Sequence, residues 1–118
     1  MTRVVTRRGA LVGAAAFSLA APDAMADGTA VDLQLVLAVD TSGSVTRERF
    51  ILQRDGYVAA FRTRDVQAAI AGTKSGAIAI AVTHWTGPFL QRVSINWMRV
   101  GDAASCNVLA DQIADAPR

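Results

Sequence analysis

The sequence predicts an α/β fold. It reads as part of a doubly wound, Rossmann-like sheet with about three strands and two to three helices. The first sign is Leu33–Val39 (L-Q-L-V-L-A-V), a β-rich and almost continuously apolar run. The second is the tight polar loop that ends it, Asp40-Thr41-Ser42-Gly43-Ser44. The third is the order that follows: helical spacing, then a second β-rich run, the strand–helix–strand order of a right-handed α/β unit.

The elements follow in order. Leu33–Val39 has the pattern of a central strand buried on both faces. Val45–Arg62 is predicted helical, with Phe50, Tyr57 and Phe61 on one stripe and Ile51 and Val58 alongside. Thr46 or Ser44 can cap its start. Gly56 weakens its middle or marks a close approach to the sheet. Thr63–Asp65 is a polar break, and Val66–Ala71 a short helix ended by Gly72. Ala77–Trp85 reads as the second strand, and Thr86-Gly87-Pro88 as a turn.

Leu90–Val100 alternates, with Val93, Ile95 and Trp97 on an apolar face, which fits an edge strand. The short connector favours an antiparallel hairpin with the strand before it. Asp102 is the expected N-cap of a last helix that carries Val108, Leu109 and Ile113 and ends at Pro117. An ordinary sheet has about five or six strands. Residues 27–118 therefore read as the N-terminal half of a larger domain.

Hydrophobic residues make up 52% and charged residues 19% of the 118, a balance too apolar for disorder. Arg3, Arg7 and Arg8 form a positive start, Ala10–Ala21 is a short apolar stretch, and Ala24-Met25-Ala26 fits a cleavage site. Residues 1–26 are thus an expected export signal, and Thr6-Arg7-Arg8-Gly9-Ala10-Leu11 resembles the twin-arginine type. Export implies the periplasm or the outside of a bacterial cell. The apolar stretch is too short to span a bilayer, so no stable membrane span is expected after cleavage. Without that segment nine basic residues face nine acidic ones, with no basic patch to favour nucleic acid. Cys106 is the only cysteine, which excludes an internal disulfide and suggests a small buried side chain.

Chemistry is concentrated in D-x-S-x-S. One carboxylate and two hydroxyls share a loop at the carboxyl end of a strand, where open α/β sheets bind ligands. An oxygen-only donor set suits a hard cation such as Mg²⁺. The plainer reading makes Asp40 a turn residue and Ser42 or Ser44 a helix cap. Two enzyme readings use the same residues. Ser42 or Ser44 could be a nucleophile with His84 as base, yet the G-x-S-x-G elbow is absent. Asp40 could accept a phosphoryl group, but Ser42 occupies the place where a second carboxylate is usual. Trp85 and Trp97 read as core or as cover for a sheet edge.

L-V-L-A-V-D-T-S-G-S-V with its amphipathic helix, the strand A-I-A-I-A-V-T-H-W-T-G-P and the segment R-F-I-L-Q-R-D-G-Y-V-A-A-F resemble a von Willebrand factor type A domain, closest to an uncharacterised secreted bacterial subfamily. The resemblance covers Val31–Arg118. It implies a doubly wound sheet with a metal-ion-dependent adhesion site on its upper edge. Ser42 and Ser44 would be direct ligands, and Asp40 would hold the ion directly or through water. A carboxylate of a protein partner would take the open position. The family's later Thr and Asp ligands have no counterpart here, so a divalent cation is expected to bind weakly or not at all, no tighter than roughly millimolar. The function expected is noncatalytic, cation-assisted protein binding. The rival is a truncated, nonfunctional half domain whose exposed apolar edge would drive association.

Overall fold

The computed structural model describes residues 30–118. The expected export signal lies outside the described residues. β1 (Gln34–Asp40) leads to α1 (Arg47–Arg62) and α2 (Arg64–Ala71), then to β2 (Ile78–Gly87), β3 (Leu90–Val100) and α3 (Ala103–Asp115). The strands form one mixed sheet in the order β1-β2-β3. β1 and β2 are parallel, and β2 and β3 antiparallel. The predicted α/β class and strand–helix–strand unit are therefore present.

Local chemistry explains the helix boundaries. Thr46 caps α1 by accepting a hydrogen bond from the Arg49 amide, and Glu48 in the first turn and Arg62 in the last complement the helix dipole. The predicted polar break shrinks to Thr63. That residue ends α1 through its amide and caps α2 through its hydroxyl. Asp102 caps α3 as expected, and Ser105 closes a reciprocal capping box.

The core lies on one face of the sheet. Val39, Ile78, Ile80, Val82, Ile95 and Val100 pack with Phe50 and Phe61 of α1, Ile70 of α2 and Cys106, Leu109 and Ile113 of α3. The predicted α1 stripe and the burial of Cys106 are borne out.

Three expectations are corrected. β1 is an edge strand among the described residues, not a central strand buried on both faces. Leu35, Leu37 and Val39 face the core, while Val36 is half exposed. The continuous apolar run misleads because Val36 and Ala38 are small enough to sit on a face that nothing described covers. The second is β3. Register shifts let Ile95 and Met98 pair with the core-facing Val82 and Ile80 although they lie three residues apart. Each shift breaks the period of two, so Val93 and Trp97 fall on the open face, 59% and 53% exposed. The expected Val93–Ile95–Trp97 face does not form, and the two tryptophans are not core residues. Of the two readings open for Gly56, the structure leaves the weakened helix, since an added Cβ would meet open space and no close approach to the sheet exists there. The third is the extent of the turn; the antiparallel hairpin itself forms as expected. β2 continues through Thr86 and Gly87, and Pro88-Phe89 alone makes the turn.

Candidate functional site

The loop after β1 is fixed from two sides. The Thr41 amide and hydroxyl both donate to the Trp85 carbonyl on β2, at 2.9 and 3.2 Å. Gln53 on α1 donates its side-chain amide to the Asp40 carbonyl at 3.2 Å. The loop is thus strapped to the neighbouring strand and to the following helix. Inside it, the Val45 amide donates to the Ser42 carbonyl at 3.0 Å, closing a turn.

The three predicted site residues come together. Asp40 Oδ1 accepts from the Ser42 amide at 2.8 Å. Ser42 Oγ and Ser44 Oγ lie 3.2 Å apart and share a hydrogen bond. Hydrogen bonding from the Ser42 hydroxyl, and then from its amide, holds the Asp40 carboxyl below the usual carboxylate range. Asp40 is therefore an anion at neutral pH. Ser44 is solvent-exposed and Ser42 half-buried. Thr46, not Ser44, caps α1, so the Ser44 hydroxyl is not committed to the helix.

This donor set fits a hard cation. Neighbouring oxygens around an octahedral Mg²⁺ with bonds of about 2.1 Å lie roughly 3 Å apart, and the two hydroxyls already have close to that spacing. The set is thin in charge. Among the described residues no group of three or more His, Cys, Asp or Glu side chains is placed to hold an ion.

His84 sits on β2 near the loop but is not joined to it as a catalytic base would be. It is buried, its ring meets Phe50 edge-on at 5.8 Å, and its Nδ1 has no hydrogen-bond partner. Burial, and then the nearby Arg92, push its pKa down, while the Pro117 carbonyl opposes them. Ser42 Oγ is hydrogen-bonded to Ser44 rather than to His84.

Sequence reasoning missed Gln53 and two further neighbours. Arg118 donates to the carbonyls of Ser42 and Val45. Arg92 on β3 donates to the Pro117 carbonyl at 3.4 Å. They lie 76 and 25 residues along the chain from those partners. Only the alternation that pointed Arg92 away from the apolar face hinted at a role for either.

Residues 30–118 match the model of a family described as "Protein of unknown function (DUF1194)". No curated protein and no solved structure matches the chain.

Proposed function

The chain belongs to the DUF1194 family of proteins of unknown function, and from that premise we propose an exported, noncatalytic module resembling a von Willebrand factor type A domain. It would bind a protein partner in the periplasm or outside the cell. Asp40, Ser42 and Ser44 hold a divalent cation, and a partner carboxylate completes its coordination. The observation that carries the reading is the pair of hydroxyls 3.2 Å apart beside an ionised Asp40. When bound, the ion supplies a localised positive charge that a carboxylate can meet directionally. The chain's own part is to hold the two hydroxyls at ligand spacing, keep Asp40 ionised and anchor the loop through Thr41 and Gln53. No helix among the described residues is long and apolar enough to cross a membrane.

One carboxylate gives weak binding. Calorimetry with Mg²⁺ is expected to return a dissociation constant of about millimolar or weaker. Mn²⁺ added in trace amounts is expected to broaden the amide resonances of Ser42, Gly43 and Ser44 first, and Asp40→Ala to abolish that preference. Equal broadening in Asp40→Ala would end the cation reading.

A further inference from the structure

We propose that the cleft between the Thr41 loop and the β2–β3 hairpin is a separate, metal-independent binding site for a carboxylate. The cleft has a volume of about 230 Å³ and is lined by Thr41, His84, Thr86, Gln91, Arg92 and Arg118, with Leu90 as an apolar wall. None of Asp40, Ser42 or Ser44 lines it, so the site stands whether or not the loop holds a cation.

Its charge is one-sided. Arg92 and Arg118 are its permanently ionised side chains, and no carboxylate side chain lines it. The ion pairs of the described residues, Arg54–Asp55 and Arg62–Asp111, lie elsewhere. Each of the two arginines is instead held by backbone carbonyls: Arg92 by Pro117, Arg118 by Ser42 and Val45. Such contacts orient a guanidinium without neutralising it and leave most of its five donors for a ligand. Two guanidinium groups anchored in advance suit a carboxylate, the planar anion that pairs with their fork. Thr41 and His84 form its buried floor, while Leu90 and the two arginines stand exposed at its rim.

The size narrows the ligand. Drug-sized molecules occupy pockets of about 300–1,000 Å³, so this cleft suits a small organic acid or one acidic side chain rather than a nucleotide. A larger cleft of about 360 Å³ lies between α1 and the end of α3; Arg118 lines it too, together with Arg47, Asp115 and an Arg54 already paired with Asp55. Its lining includes a carboxylate side chain, whereas that of the smaller cleft includes none.

The test is an NMR titration of the whole chain at fixed ionic strength, with protein and buffers first passed over a chelating resin, which silences the cation site without adding a competing carboxylate. Succinate and a short peptide carrying one glutamate are the probes. Saturable shifts of the His84 ring and the Arg92 side chain are expected. A tighter fit for succinate identifies a free acid as the ligand, and a tighter fit for the peptide identifies a protein-borne carboxylate. Arg92→Gln is expected to weaken binding by at least about tenfold, the loss of one charge-assisted contact. Arg118→Gln is the second variant, should the first fail to fold. Three results would overturn the proposal: no shift beyond that of sodium chloride, binding of inorganic phosphate alone, or wild-type affinity in the folded variants.

Discussion

Asp40 acts through both its side chain and its backbone. Its carboxylate organises Ser42, and its carbonyl receives Gln53 from the helix that follows. The acidic residue and the two hydroxyls were legible in the sequence because their spacing is local and they follow a recognisable strand. Gln53, Arg92 and Arg118 were not, because each reaches the loop region through a turn of chain or a strand register that no short window contains. His84 is the residue whose chemistry is easiest to test. Its folded pKa lies below the ordinary 6.5, first because it is buried and then because Arg92 is near. The unfolded chain therefore binds a proton that the folded chain rejects. Stability from this group is complete above about pH 6.5 and falls as pH drops through that value towards the folded pKa. The melting temperature is expected to decline between pH 7 and pH 5, and His84→Phe to flatten that decline. An equally steep decline in the variant would assign the titration to another group.

At the scale of elements, two glycines with opposite settings make a paired prediction. Gly56 sits exposed inside α1, where a methyl group meets nothing. Gly56→Ala is expected to stabilise the fold by about 0.5–1 kcal/mol, through helix propensity and a less mobile unfolded chain. Gly101 joins β3 to α3, and a Cβ there would lie 2.8 Å from the Gly76 carbonyl and 3.2 Å from the Ala77 Cβ. Both neighbours belong to the main chain or its first side-chain atom, so they cannot swing aside, and Gly76 is itself held at φ +68°. Gly101→Ala is expected to destabilise by roughly 1–3 kcal/mol. Urea titration checks both, and a shift of the same sign in the two variants would contradict the packing described. The α3 cap Asp102 was legible, and that of α1 was narrowed to Thr46 or Ser44, because capping is a contact within one turn. Thr63 was read only as part of a break, since nothing in a three-residue window shows one hydroxyl ending one helix and starting the next.

For the molecule as a whole, the notable asymmetry is a sheet covered by helices on one face. Val36, Val93 and Trp97 line a shallow depression of about 290 Å³ on the other, and β1 has no partner on its outer edge among the described residues. An apolar face beside an unpaired edge favours association. Sedimentation is expected to show larger species as concentration rises, and Trp97→Lys to shift the distribution towards monomer. Identical profiles would show that this face is not the contact. By itself the sequence determined the class of the fold, the six elements, the Asp102 cap and the residues of the candidate loop. Those depend on hydrophobic period, on turn chemistry and on contacts a few residues long. Only the tertiary structure decided that β2, not β1, is the middle strand and that Val93 and Trp97 face outward. It alone brought Arg92 and Arg118 to flank one cleft beside the loop. Strand order, register shifts and the meeting of distant side chains arise from packing between segments far apart in the chain, and no local pattern of residues encodes them.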